Sequence, residues 1–175
     1  IEPNRGEDDP TLIMRMSDGE IIPGNAHIDA AEADRRIAEF YRPYHGAIDA
    51  ALDGTLARGR KPVLISMHSF TPLWRGRARP WHCAILWGGD RPTANDLLEA
   101  LRAEPGLVVG DNEPYSGKLD GDCLDRHGTK RAFRHSLIEI RQDLLASDVL
   151  RAQWVARLTP ILTQLARQTG EGERT

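Results

Sequence analysis

The chain has 175 residues, 40% of them hydrophobic and 28% charged, which is the composition of one globular domain and not of a disordered or membrane-spanning chain. The formal net charge of −3 gives no overall attraction to nucleic acid, and the acidic first residues do not resemble a signal peptide, so we expect a cytoplasmic protein that binds neither nucleic acid nor membrane. The two cysteines lack CxxC spacing and indicate neither a disulfide framework nor a cysteine zinc cluster.

The first residues, IEPNRG, are interpreted as the end of a strand followed by a loop, with no preceding element for that strand to pack against. We therefore expect residues 1–168 to form a single domain that lacks its N-terminal segment. Residues 169–175 are predicted to be a polar tail.

Apolar residues recur at three- and four-residue steps between positions 30 and 58, which predicts a long amphipathic helix. Asp29 and Glu32 form a capping-box pattern at its start, and Gly59 suits its end. Pro43 is predicted to kink or divide this helix, because proline has no backbone N–H.

Four apolar runs predict buried strands, at 62–68, 81–87, 106–111 and 135–142. Two further helices are predicted, one capped by Thr93 and ending near Glu104, and one starting near Ser147 and bending near Pro160. Because the strands are continuous apolar runs that alternate with helices, we expect an α/β domain of three layers, with a mostly parallel or mixed sheet covered by helices on both faces.

Polar side chains follow the predicted strands, at the edge of an open α/β sheet where ligands usually bind. If the strands are parallel, their carboxyl ends bring one set of residues to a common edge: His68, Asp111, Tyr115, Glu139, Arg141, and Asn4 with Arg5 from the chain start. The locally basic residues 75–82 are the feature that favours nucleic acid.

Two of these residues have structural alternatives. A lone histidine such as His68 is more often a hydrogen-bonded structural group than a metal ligand. Glu139 lies between Ile138 and Ile140 in a strand interpreted as buried on both faces, where an unpaired carboxylate costs several kcal/mol. Arg141 shares its face by strand alternation, so Glu139 is interpreted either as half of an internal ion pair or as a perturbed catalytic carboxylate.

Long motifs resemble the N-formylglutamate amidohydrolase family over nearly all of residues 1–168, among them NRGEDDPTLI, FYRPYH, SMHSFTP, ARPWH, EPGLVVGDNEPYSG and IEIRQDL. That family is distantly similar to the zinc carboxypeptidases and aspartoacylases. The resemblance therefore implies a zinc-carboxypeptidase-like, or phosphorylase/hydrolase-like, fold.

The resemblance also implies roles. His68 matches the later zinc-binding histidine, and Glu139 matches the general-base glutamate. Asn4 and Arg5 match the pair that binds the substrate carboxylate, Tyr115 matches a substrate-facing tyrosine, and Arg141 is a further substrate-binding candidate. The two remaining zinc ligands of such enzymes precede the Asn-Arg pair, so we expect them upstream of Ile1.

We therefore expect a metal-dependent amidohydrolase that uses zinc, or another divalent metal, to cleave a short N-acyl amino acid. N-formyl-L-glutamate, which gives formate and L-glutamate in histidine degradation, is the first candidate substrate. The alternatives are a deacylase or carboxypeptidase for another acidic substrate, and a non-catalytic ligand-binding relative. The sequence assigns no role to His82, His127 or His135, and no oligomeric state.

Overall fold

The computed structural model describes residues 1–17 and 19–171, which form eight strands and four α-helices within those ranges. Their bounds are β1 (Met16–Ser17), β2 (Glu20–Ile21), α1 (Ala30–Arg36), α2 (Arg42–Ala57), β3 (Val63–Phe70), β4 (Leu73–Trp74), β5 (Arg77–Ala78), β6 (Cys83–Leu86), α3 (Arg91–Arg102), β7 (Val109–Asp111), β8 (Arg134–Arg141) and α4 (Asp148–Glu171). Two π-helical turns, Ile37–Tyr41 and Asp125–Thr129, and a 3₁₀ turn, Gln142–Leu145, complete the described elements.

The long first helix forms as predicted, in two parts. The Asp29 carboxylate accepts a hydrogen bond from the backbone N–H of Glu32 at 2.8 Å, and Gly59 follows the helix with a positive φ of 68°. Between α1 and α2, the backbone N–H of Arg42 bonds to the carbonyl of Ile37, five residues back. This π-helical turn divides the helix just before Pro43, which has no N–H to donate.

The central sheet has the strand order β3-β8-β6-β7. β3 runs parallel to β8 and β6 runs parallel to β7, but β6 is antiparallel to β8. The sheet is therefore mixed, and the carboxyl ends of β3 and β8 lie at the opposite edge from those of β6 and β7. The expectation that Asp111 would join the other polar residues is wrong for this reason: its carboxylate binds Trp87 and Arg91 at the far edge.

Helices α3 and α4 cover one face of the sheet, where Ile85 of β6 and Ile138 of β8 lie in the larger core cluster. The opposite face carries Ala84, Leu86 and Leu137, which pack against Leu124. The π-helical turn Asp125–Thr129 follows Leu124 on this side and contacts β8. This second face is the one on which the candidate site lies.

The start of α3 differs from the prediction. Helix α3 is capped by Asp90, whose carboxylate accepts from the backbone N–H of Thr93 at 3.0 Å, because Pro92 occupies the first turn. Helix α4 continues to Glu171, so the first residues of the predicted polar tail are helical, while residues 172–175 lie outside the described residues. None of the helices in the described ranges has the length and apolar character needed to cross a membrane.

Candidate active site

His68 and Glu139 are direct neighbours on adjacent strands. In the parallel ladder between β3 and β8, the Cα of His68 pairs with that of Glu139, and Ala84 of β6 pairs with Glu139 from the other side. Paired residues project to the same face of a sheet. The imidazole and the carboxyl group therefore project side by side, near the carboxyl ends of their strands.

Glu139 is a buried carboxyl group with an unused oxygen. The residue is 6% exposed, and its Oε2 atom has no hydrogen-bond partner within the described part of the chain. Burial raises the pKa of Glu139 to about 7, and the positive charge of Arg79 opposes this rise. A native protein rarely leaves a buried polar oxygen unpaired, so this atom is available to a ligand or to a proton in transfer.

Arg141 does not form the internal ion pair that its spacing from Glu139 allowed. Its guanidinium binds Asp143, with Nε 2.7 Å from Oδ1, and donates to the backbone carbonyls of Arg79 and Trp81 at 3.1 Å. Arg141 thus ties the end of β8 to the segment that leads into β6. Glu139 is left without this counter-charge.

Arg79, which the sequence reasoning did not single out, is the cation whose charge acts on Glu139. It is 7% exposed, its Nη2 donates to the hydroxyl of Tyr115 at 2.7 Å, and its guanidinium carbon lies 4.9 Å from the centre of the Tyr115 ring. The loop after β7 therefore brings Tyr115 to Arg79, although β7 runs in the opposite direction to β8. The available signal was the position of Arg79 in the motif ARPWH, just before a buried strand.

Asn4 and Arg5 form the third part of the site. The Oδ1 atom of Asn4 is buried and, among the described residues, has no hydrogen-bond partner, which matches the state of Glu139 Oε2. Arg5 Nη1 donates to the backbone carbonyl of Asn4 at 2.7 Å, and its Nε donates to the Thr11 hydroxyl at 3.2 Å. The backbone N–H of Asn4 donates to Glu2 Oε1 at 2.9 Å.

Two charged residues of this segment, Glu2 and Arg5, affect the pKa of His68. Burial lowers the pKa of His68, the carboxylate of Glu2 opposes that effect, and the guanidinium of Arg5 adds to it. The neutral imidazole is the form that binds a metal ion. His68 thus lies beside Glu139, the charge of Arg5 acts on His68, and Tyr115 bonds to Arg79, whose charge acts on Glu139. Glu2 is a second residue that the sequence reasoning missed.

The described residues do not complete a zinc site by themselves. The buried, unpaired oxygens of Asn4 and Glu139 and the half-buried imidazole of His68 are groups that a ligand could bind. However, residues 1–17 and 19–171 contain no group of three histidine, cysteine, aspartate or glutamate side chains placed to hold a metal ion. A catalytic zinc needs three protein ligands, and His68 is one donor.

The histidines without a predicted role have protein partners. His82 Nδ1 accepts from the backbone N–H of Val108 at 2.9 Å, and His135 Nε2 lies 3.0 Å from the Thr129 hydroxyl. His127 pairs with His45, the last residue of the motif FYRPYH.

One family model and two solved structures are similar to this chain. A model of the N-formylglutamate amidohydrolase family matches residues 1–146. The structure of the gene product Atu2144 from Agrobacterium tumefaciens is similar, with 30% sequence identity, a TM-score of 0.87, and coverage of 97% of this chain and 67% of that one. N-formylglutamate amidohydrolase from Ralstonia eutropha shares the fold, with 22% identity, a TM-score of 0.68, and coverage of 97% and 74%. No curated protein matches the chain significantly.

Proposed function

The chain belongs to the N-formylglutamate amidohydrolase family, whose members hydrolyse a linear amide bond, and on this premise we propose that it cleaves an N-formyl amino acid, first of all N-formyl-L-glutamate. The products would be formate and L-glutamate, as in histidine degradation. The observation that carries the proposal is the buried Glu139, with its unpaired Oε2 and its place beside His68.

Glu139 is proposed as the general base. A pKa of about 7 lets the carboxylate take a proton from the attacking water near neutral pH and give that proton to the leaving amine. The unpaired Oε2 atom is the proposed acceptor. Since the carboxylate form is required, kcat/KM should rise with pH as Glu139 ionises.

Arg79 and Tyr115 are proposed to stabilise the oxyanion that develops on the formyl oxygen. The guanidinium and the phenol already bond to each other at 2.7 Å, so their orientation is set before the substrate arrives. Donors held in place in a poorly solvated site stabilise developing charge more than donors in water. The aromatic rings of Phe70 and Trp74, which lie 5.7 and 5.3 Å from the Arg79 guanidinium carbon, help to hold it there.

Asn4 and Arg5 are proposed to bind the substrate carboxylate. A guanidinium offers two parallel donors to a carboxylate, and the Asn4 amide adds a further contact. Two bonds within the segment hold the Arg5 side chain, through its Nη1 and Nε atoms. This arrangement favours N-formyl amino acids, which keep their α-carboxylate, over neutral amides.

We further propose that the full-length enzyme uses zinc, or another divalent ion, with His68 as one of the protein ligands. Bound zinc would polarise the amide carbonyl and lower the pKa of water. The remaining ligands are not supplied by the described residues. Metal content of the full-length protein and of His68→Ala, measured by elemental analysis, tests this proposal.

Formate release from a panel of acylated amino acids tests the proposed activity. N-formyl-L-glutamate should be the best substrate, N-formyl-L-leucine should be weaker because it lacks the side-chain carboxylate, and N-formyl-L-glutamate amidated at its α-carboxylate should be poorest. N-acetyl-L-glutamate separates a formyl hydrolase from a general deacylase. Turnover of none of these by the metal-loaded full-length protein would refute the proposed function.

A further inference from the structure

His45 and His127 form a buried histidine pair that the proposed reaction does not use. Both residues are 0% exposed, and His45 Nδ1 lies 2.7 Å from His127 Nε2. The two rings are nearly parallel, with an angle of 22° between their planes. His45 comes from α2 and His127 from the turn Asp125–Thr129, so the contact joins these two elements.

The outer nitrogens of the pair both face acceptors. His45 Nε2 lies 3.1 Å from the backbone carbonyl of Pro3, and His127 Nδ1 lies 3.0 Å from Asp49 Oδ1. The same Asp49 oxygen also accepts from Arg131 Nη1 at 3.0 Å, which is a bond that a carboxylate makes. A carbonyl and a carboxylate cannot donate, so both outer ring nitrogens must carry protons.

The number of protons that these contacts need determines the charge of the pair. The contact between Pro3 and His45 needs one proton, the contact between the rings needs one, and the contact between His127 and Asp49 needs one. Two neutral imidazoles carry only two N–H protons between them, so one of the three contacts would set lone pair against lone pair. Three protons on four nitrogens satisfy all the contacts and give the pair a net charge of +1.

Burial and the Asp49 carboxylate act in opposite directions on the charge of the pair. Burial lowers the pKa of both His45 and His127 and so disfavours any positive charge on the pair, whereas the negative charge of Asp49 raises both pKa values and favours it. The Asp49 carboxylate balances the single charge. The other charged or titratable groups that act on the pair are Arg126, Arg131, Glu7, Tyr41 and Tyr44.

The pair is connected to the proposed substrate-binding segment. His45 bonds to the carbonyl of Pro3, and the hydroxyl of Tyr41 donates to the carbonyl of Arg5 at 2.9 Å. These two bonds hold the main chain on both sides of Asn4, whose Oδ1 is the orphaned oxygen of the site. The contacts run from Asp49 to His127, from His127 to His45, and from His45 to Pro3 of this segment. Loss of the proton between the two rings would break the middle contact.

We propose that His45 and His127 share one proton at neutral pH, and that His45 thereby acts as a positioning residue for Asn4 and Arg5. The charge state stands on geometry alone. The positioning role rests on the proposed function of Asn4 and Arg5.

Imidazole ¹⁵N NMR of the histidine-labelled full-length protein tests the charge state, with assignments from His45→Gln and His127→Gln and with the exposed His27→Gln as control. At pH 7 the pair should show three protonated nitrogens, or two with a third averaged between the rings. Two nitrogens without protons at pH 7 would overturn the proposal.

Asp49→Asn supplies a variant on the accessible side of the network. Removing the balancing charge should lower the pH at which the pair loses its shared proton, by about one unit or more. Asp53→Asn is the matched control, because Asp53 also binds Arg131 but does not touch His127. Equal effects of the two changes would contradict the assigned network.

The positioning role has a readout that does not require activity. In the wild-type protein, the Asn4 side-chain amide and the Arg5 backbone amide should shift at the pH where the pair deprotonates, and unchanged resonances would overturn it. If N-formyl-L-glutamate is hydrolysed, His45→Leu should raise KM about tenfold with a smaller change in kcat, and His45→Gln, which keeps a donor, should recover part of that loss. A lack of turnover would refute the proposed function and leave the NMR result to decide this inference.

Discussion

Glu139→Gln should make the protein less active and, at alkaline pH, more stable. Glutamine keeps the volume of the side chain but cannot ionise. In the wild type, the buried carboxyl group must lose its proton above neutral pH without an ion-pair partner, because Arg141 binds Asp143 instead. The variant avoids this ionisation, so the two proteins should differ in how their stability depends on pH.

The size of the effect follows from the two pKa values. The folded-state pKa is about 7, against an ordinary value of 4.5 for an unfolded glutamate. A group whose pKa is raised on folding contributes its stability below the unfolded pKa and loses that contribution as pH rises through the folded pKa. The whole difference corresponds to roughly 3 kcal/mol, of which roughly 2.5 kcal/mol falls between pH 5 and pH 8.

Urea unfolding at pH 5 and pH 8, on metal-free full-length protein, measures this difference. The free energy of unfolding of Glu139→Gln minus that of the wild type should rise by the stated amount between the two pH values. Glu99→Gln, on the exposed side of α3, removes the same formal charge and should show little change. On the metal-loaded enzyme, kcat of Glu139→Gln should fall roughly 10²–10⁴-fold.

An equal loss of stability at both pH values would refute this reasoning. It would mean that the carboxylate is held by a structural bond, as in an internal ion pair, where breaking the pair costs about 3–5 kcal/mol. Normal turnover by folded Glu139→Gln would separately refute the general-base role.

Three further changes probe the rest of the site. Arg5→Lys keeps the charge but loses the paired donors, so KM for N-formyl-L-glutamate should rise at least about tenfold while kcat changes less; an unaffected KM would assign Arg5 to the fold alone. His68→Ala should lose both bound metal and activity with an unchanged circular dichroism spectrum, and retention of full metal content would exclude His68 as a ligand. Arg79→Met should raise the pKa of Glu139, because Arg79 opposes the effect of burial, and should therefore move the acidic limb of kcat/KM to higher pH; a limb at the wild-type pH would show that Arg79 does not act on the base.

Local signals in the sequence predicted local structure well. The carboxylate of Asp29 caps its helix through Glu32, and Gly59 ends the next one, because caps depend on chemistry within a few residues. The start of α3 was misplaced because Asp90 and Thr93 are both good capping residues, and the position of Pro92 decided between them. The four central strands were placed to within a few residues for a similar reason, since each is a bounded apolar run.

Relations between distant segments were harder to predict. A buried apolar run does not reveal the direction of its strand. The sequence therefore could not predict that β6 is antiparallel to β8, nor the position of Asp111 that results from it. Arg79 could not be distinguished within a basic stretch, because only the folded chain shows that its side chain is buried and that its charge acts on Glu139. The pairing of His45 with His127 joins positions 82 residues apart, and the local sequence around one histidine does not indicate the other.

The two strands that carry the site differ in the number of neighbouring strands to which they are hydrogen-bonded. Within the described ranges, β3 is hydrogen-bonded to β8 on one side, whereas the Glu139 region of β8 is bonded to β3 and to β6. Local opening of β3 breaks one ladder and opening of β8 breaks two, so amide protons around Glu139 should exchange with solvent more slowly than those around His68. Glu139 therefore lies on the more rigid strand. His68 lies on β3, the outer strand of the sheet, which can adjust to a bound ion or substrate by small movements.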